Sequence, residues 1–181
     1  MKNDRLDLYK KLLLSWDERM NLIGPEARAN LDAHVNEALE AAEILRPRGE
    51  VLDFGSGGGL PAIPMAIICP DARFHLVESS KKKWAFLKHV VRDCKLSAVV
   101  HGDRLARALT RFPPDLQFSL VTSRAVGNPG EWLPSLAPWM EPDGRAALLQ
   151  GSAETPEIHQ FRKGAAHKLS RGYLVTFHVK Q

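Results

Sequence analysis

The residues best suited to chemistry lie in the run Val51-Leu52-Asp53-Phe54-Gly55-Ser56-Gly57-Gly58-Gly59-Leu60-Pro61. An apolar stretch ends in an acid, a turn carries glycines at 55, 57 and 59, and Pro61 marks the start of a helix. Glycines permit positive φ and let a backbone approach a ligand where a Cβ would collide. The helix start behind them offers free N–H groups. A dinucleotide fingerprint needs Gly-x-Gly-x-x-Gly, and Leu60 occupies its third glycine position. Asp53 suits a ligand with an amino group better than one with a pyrophosphate, which the carboxylate would repel. S-adenosylmethionine has that ammonium and no phosphate.

Two later strand ends supply the rest of an adenosyl site. Phe74-His75-Leu76-Val77-Glu78 delivers a carboxylate able to accept both ribose hydroxyls. In His101-Gly102-Asp103-Arg104-Leu105, Asp103 and the backbone amides would meet the adenine edge. The expected cofactor contacts are therefore Asp53, Gly55, Ser56, Gly57, Gly59, Glu78 and Asp103, with the backbone of Arg104 and Leu105. The plainer alternative has Asp53 and Glu78 only capping turns. A nicotinamide oxidoreductase ranks last among the enzyme readings, though Glu78 keeps it open.

The elements that must position these groups follow from periodicity. Leu6, Tyr9, Leu12, Leu13, Trp16 and Met20 recur at helical spacing, and Gly24-Pro25 stops and restarts the chain. Leu31, Val35, Ala38, Leu39, Ala42 and Leu45 continue a second helix, which Pro47 and Gly49 end. From residue 50 short apolar runs alternate with amphipathic helices, as in βαβ units. Strands are expected near 51–54, 74–78, 98–101, 118–123, 145–150 and 173–179, with a seventh within 157–168. Helices are expected near 61–69, 81–94, 103–111 and 130–140. The alternating run 173–179 should pair antiparallel at an edge. The expected fold class is α/β, a doubly wound, mostly parallel Rossmann-like sheet with an N-terminal helical cap. One domain is expected over 1–181, with a helical cap over 1–49 and an α/β core over 50–181.

Composition is that of an ordinary globular chain: 181 residues, 44% hydrophobic, 25% charged, net charge +4. A chain of this length can bury about 70% of its unfolded surface without staples. The longest apolar run, 63–69, contains Pro64 and falls short of the roughly 18 residues of a membrane span. The first residues carry no signal-like apolar stretch, so a cytoplasmic location is expected. Cys69 and Cys94 stand apart from any Cys/His cluster, so neither a metal nor a disulfide is expected. The expected state is a monomer without membrane contact.

The chain resembles the bacterial small-subunit ribosomal RNA guanine-N7 methyltransferases of the RsmG (GidB) type, over about Trp16 to Gly151. Trp16-Asp17-Glu18-Arg19-Met20-Asn21-Leu22 is similar to that family's opening motif, and His34 to the histidine of its second helix. Gly55-Ser56-Gly57-Gly58-Gly59-Leu60-Pro61-Ala62-Ile63-Pro64 resembles its Gly-Ser-Gly-x-Gly-Leu-Pro-Gly-Ile-Pro loop. Lys82 or Lys83 with Phe86-Leu87, and Ser123-Arg124-Ala125-Val126, resemble two further blocks. The resemblance implies S-adenosylmethionine contacts at Gly55, Leu60, the Arg104-Leu105 backbone and Arg124. It also implies a ribosomal RNA guanine as acceptor, with the small ribosomal subunit as partner.

Guanine N7 is unprotonated at neutral pH and attacks a sulfonium methyl without a general base, so catalysis can rest on positioning. Arg124 and His34 are the candidates for placing the substrate. Lys81, Lys82, Lys83, Lys88, Arg92 and Lys95 form one basic stretch, read as a solvated helix face or an RNA-phosphate footprint. Ala33, Ser119 and Gln150 depart from the family pattern. They motivate one alternative, a small-molecule acceptor; another, of a different class, is a catalytically silent RNA-binding assembly factor that keeps the fold. A Gly55→Val change is expected to abolish cofactor binding while the domain stays folded.

Overall fold

The computed structural model describes residues 2–180. Helix α1 (Lys2–Met20) buries Tyr9 and Leu13, and α2 (Pro25–Ala29) and α3 (Leu31–Leu45) follow it. The single second helix expected from spacing is thus two. Asn30 leaves the helical region at φ −116° and ψ 27°, and its side-chain amide donates to the Glu26 carbonyl and carboxylate. Asn competes with the helix for its own hydrogen bonds, so a break there follows from its chemistry.

The α/β part runs β1 (Gly49–Phe54), α4 (Ala62–Ile68), β2 (Ala72–Val77), α5 (Lys81–Asp93), β3 (Ala98–His101), α6 (Leu105–Leu109) and β4 (Phe118–Arg124). It continues through α7 (Pro129–Trp132), a 3-10 segment (Leu133–Trp139), β5 (Met140–Gln150), β6 (Phe161–Lys168) and β7 (Tyr173–Val179). The helix expected over 130–140 is one α turn followed by a 3-10 run. Pro134 and Pro138 each remove an amide donor, so a regular α ladder cannot propagate there.

All seven strands form one sheet in the order β3-β2-β1-β4-β5-β7-β6. The pairs from β3 to β5 are parallel, whereas β5–β7 and β6–β7 are antiparallel. The antiparallel pairing of the last strand is as expected, but its place is not. β7 lies inside the sheet, and β6, the seventh strand, takes the edge. β6 exposes Arg162, Lys163 and Lys168, charges that blunt an open edge.

Alternation of side chains sorts the core onto two faces. Val51, Phe74 and Leu76 join a cluster with α1, α3, α4 and α5 residues. Leu52, Val77 and Val121 join a second with α6, Phe112, Leu133 and Leu136. β1 sits between β2 and β4, so chain order reverses at its carboxyl end, where a crevice opens. Among the described residues no helix is long and apolar enough to cross a membrane, and no group of three or more His, Cys, Asp or Glu is placed to hold a metal ion. Cys69 and Cys94 are free thiols.

Candidate active site

The turn after β1 owes its shape to glycine at Gly55, where φ is +73° and a built Cβ would lie 2.2 Å from Val126 Cγ2. Gly58 is small for a different reason. A Cβ there would come within 2.7 Å of Ile23 Cγ2 and 3.4 Å of Leu13, so the helical cap rests directly on the loop. Tyr9 adds a buried 2.8 Å hydrogen bond from its hydroxyl to the Gly58 carbonyl, and burial raises the Tyr9 pKa, keeping the phenol neutral. The clash at Gly55 corrects the expectation that Gly55→Val would spare the fold, because the new side chain meets Val126 before any ligand.

The loop's amides are largely spent within the chain. Gly55 and Ser56 donate to the Val77 carbonyl, Gly59 to the Ser56 carbonyl, and Gly57 to Glu78 Oε2 at 2.8 Å. Ser80 N–H donates to Glu78 Oε1 at 2.7 Å. Glu78 therefore ties the end of β2 to the glycine turn while its remaining lone pairs face the crevice it lines. The turn works as a shaped cradle more than as a set of free donors.

Above it lies a cleft of about 380 Å³ lined by Gly55, Ser56, Gly57, Gly58, Leu60, Glu78, Lys83 and the Arg124-Ala125-Val126 segment, with Ile23, Gly24 and Ala27 from the cap. The cap wall is set by Asp17. Its carboxylate, almost fully buried, accepts from the Leu22 and Ile23 amides at 2.7 and 2.9 Å and from Arg28 at 3.0 Å. A second cleft of about 450 Å³ lies over the ends of β2 and β3, lined by Lys81, Trp84, His101, Gly102, Asp103 and Arg111. Trp84 packs so closely on Gly102 that a Cβ there would sit 2.8 Å from the indole. Asp103 pairs with Arg107 and Arg111. Arg104 is the exposed cap of α6, whereas the Leu105 side chain turns into the core and leaves only its backbone for a ligand.

Asp53 lies beneath the first cleft, 1% exposed. Thr122 donates to Oδ1 at 2.7 Å, and Oδ2 has no partner. Burial pushes its pKa up to about 6, with the Glu78 charge adding to the rise and the Thr122 hydrogen bond and the nearby Ser56 hydroxyl, which donates to the Asp53 backbone carbonyl at 3.1 Å, opposing it. An orphaned buried carboxylate oxygen is rare in a folded protein and marks a position that a donor can complete.

Arg124, at the end of β4, reaches across the cleft to α3. Its Nη2 lies against the His34 ring, 2.6 Å from Nδ1 and 3.4 Å from Nε2, and His34 Nε2 lies 3.2 Å from Glu26 Oε2. Burial first and the Arg124 charge second lower the His34 pKa, so the ring is neutral at physiological pH. The two substrate-positioning candidates, His34 and Arg124, are thus direct partners. Glu26 and Arg171, which pairs with it, escaped the sequence reading, since nothing in local spacing links residues 145 positions apart. Trp84 falls within α5 with nothing in its spacing to mark it as a lining residue.

The chain matches the model of the rRNA small subunit methyltransferase G family (GidB) over residues 2–180. It belongs to that family. The chain is 33% identical over 156 residues to the ribosomal RNA small subunit methyltransferase G of Helicobacter bizzozeronii, covering 85% of each. With the protein of that name from Wolinella succinogenes it shares 34% over 158 residues, or 87% of this chain and 79% of that one. A crystal structure of a putative O-methyltransferase from Klebsiella pneumoniae superposes with a TM-score of 0.68 at 11% identity, covering 96% of this chain and 90% of that one. That likeness is one of fold, a class I Rossmann-like methyltransferase sheet. Membership makes the protein a methyltransferase dependent on S-adenosylmethionine, and its residues fit that cofactor. The glycine cradle lines the cleft, and Asp53, buried behind that lining rather than in it, keeps one carboxylate oxygen free for a donor such as an ammonium or a water beneath it.

Proposed function

We propose that this protein methylates N7 of a guanine in small-subunit ribosomal RNA. The observation that carries the reading is the family match over residues 2–180, joined to a cleft at the carboxyl end of β1 built from the family's loop residues. Nothing in the comparisons supports a small-molecule acceptor. When bound, S-adenosylmethionine supplies a methyl carbon made electrophilic by its sulfonium. Gly55 to Leu60 would hold the amino-acid end over Asp53, Glu78 the ribose, and the Gly102-Asp103 turn with Trp84 the adenine. The chain needs no base, because the acceptor nitrogen carries a free lone pair. Its task is to orient that nitrogen and screen the cleft from water. Arg124, held by His34, lies where it can fix the acceptor's position, and the exposed Lys81, Lys82 and Lys88 of α5 give phosphates a place to land. A ribosomal acceptor puts the work in the cytoplasm, and one copy of the chain contains every group named.

The test is transfer of labelled methyl from S-adenosylmethionine to purified small subunits or deproteinised rRNA, followed by nucleoside mass mapping. Label in 7-methylguanosine of the small-subunit RNA is the expected result. Label confined to low-molecular-weight products, or none at all, refutes the proposal.

A further inference from the structure

The turn between β6 and β7 is anchored on the helical cap. Leu169 is buried in the core cluster that contains α3, the Ser170 amide donates to Glu40 Oε2 at 2.8 Å, and a Cβ at Gly172 would lie 2.5 Å from the Gln150 carbonyl and 3.3 Å from Glu37. This close seating delivers the Arg171 guanidinium to Glu26, where Nη2 pairs with Oε1. The other oxygen of Glu26 faces His34 Nε2, and His34 Nδ1 faces Arg124. Four groups from four parts of the chain therefore stand in one line that ends in the cleft.

The Glu26 carboxylate sets the protonation pattern along the line. A carboxylate only accepts, so the proton of a neutral His34 ring sits on Nε2, 3.2 Å from Glu26 Oε2, and leaves Nδ1, nearer to Arg124 Nη2 at 2.6 Å than Nε2 is at 3.4 Å, as the acceptor. Were the ring in its other tautomer, Nδ1–H would face the guanidinium with two donors opposed. Glu26 selects the tautomer because its carboxylate rewards a proton on Nε2. Without that carboxylate the ring can flip or exchange tautomers, and Arg124 loses its anchor. The charged groups facing His34 are Arg124 from β4, Glu26 from α2, Arg171 from the β6–β7 turn, and Glu37 of its own helix with Oε2 3.9 Å from Nδ1.

We infer that Glu26 and Arg171 are positioning residues. The line Arg171, Glu26, His34, Arg124 fixes His34 as the Nε2–H tautomer and so holds the Arg124 guanidinium at the cleft. The inference rests on the methyl-transfer reading for its effect on rate, but not for its effect on the ring.

Two measurements test it. In imidazole proton–nitrogen correlation spectra, with the His34 signal assigned by its loss in His34→Gln, the wild-type ring shows the Nε2–H pattern alone. Glu26→Ala gives mixed tautomers. In steady-state methyl transfer, Glu26→Ala and Arg171→Ala lower kcat about tenfold while KM for S-adenosylmethionine stays within about twofold, as displacement of a positioning group requires. Glu26→Gln keeps an acceptor oxygen and recovers most of the rate, a rescue that a merely structural role would not produce. Arg171→Gln retains the side-chain stem and separates lost pairing from any folding defect of Arg171→Ala.

Wild-type His34 bearing its proton on Nδ1, alanine variants with wild-type kcat, or Glu26→Gln as slow as Glu26→Ala would each overturn the inference. A wild-type protein that methylates no ribosomal RNA, yet shows the single tautomer that Glu26→Ala scrambles, would sink the proposed function and leave the arrangement standing.

Discussion

Asp53→Asn should make the protein more stable and a poorer binder at the same time. The carboxyl is driven from 3.8 to about 6 in the folded chain, chiefly by burial. That is about two pKa units at roughly 1.4 kcal/mol each, or about 3 kcal/mol. The folded pKa lies above the unfolded value, so the stability this group allows is fully present below pH 3.8 and is lost as pH rises through about 6. Asparagine keeps the shape and an oxygen for the Thr122 hydroxyl, and it carries no charge to desolvate. Urea unfolding of both proteins should give nearly equal stabilities at pH 4 and a variant more stable by about 3 kcal/mol at pH 8, with a thermal midpoint higher by about 6–12 °C. Titration with S-adenosylmethionine should show the variant binding about tenfold or more weakly, as loss of a charged hydrogen-bond partner implies. A variant less stable than wild type at pH 8, or a stability difference independent of pH, would refute the account of Asp53 as a carboxylate kept at a cost for its ligand.

Gly55→Val combines a side chain forced against Val126 with a backbone at φ +73°, and should lose about 3 kcal/mol or more in a thermal or denaturant melt. Tyr9→Phe leaves the buried Gly58 carbonyl without its partner and should cost about 1–3 kcal/mol of unfolding free energy, with weaker cofactor binding in calorimetry because the loop loses its strut. Lys81→Ala and Lys82→Ala should each lower the salt slope of small-subunit binding by about one; unchanged slopes would make the α5 lysines a solvated face only.

The glycine turn, Asp53 and Glu78 were legible in the sequence because a strand, an acid and a turn in fixed spacing constrain one another within a few residues. The parallel half of the sheet was legible for the same reason, since each βαβ unit is local. The end of the chain was not. β6 buries Phe161 and little else, so it carries no alternation to read, and it is held by backbone pairing to β7. Which strand takes an edge is decided by pairing between distant residues, and the alternating run 173–179 fits an interior antiparallel strand as well as an outer one. The Asn30 break and the 3-10 run after Trp132 had visible causes, one asparagine and two prolines, that the apolar spacing outweighed. At the site, His34 and Arg124 could be named separately, but their 2.6 Å contact, and the reach of Arg171 to Glu26, exist only once α3, β4 and the β6–β7 turn are brought together.

The inward position of β7 gives the sheet an unusual vulnerability to clipping. A protease that cut at the exposed Ser170-Arg171 turn and released residues 173–179 would strip the hydrogen-bonding partner from both β5 and β6. An ordinary outer strand, once lost, bares one neighbour; here the apolar flank of Ala146, Ala147, Leu148 and Leu149 would open beside a stranded β6, a surface ready to recruit other chains.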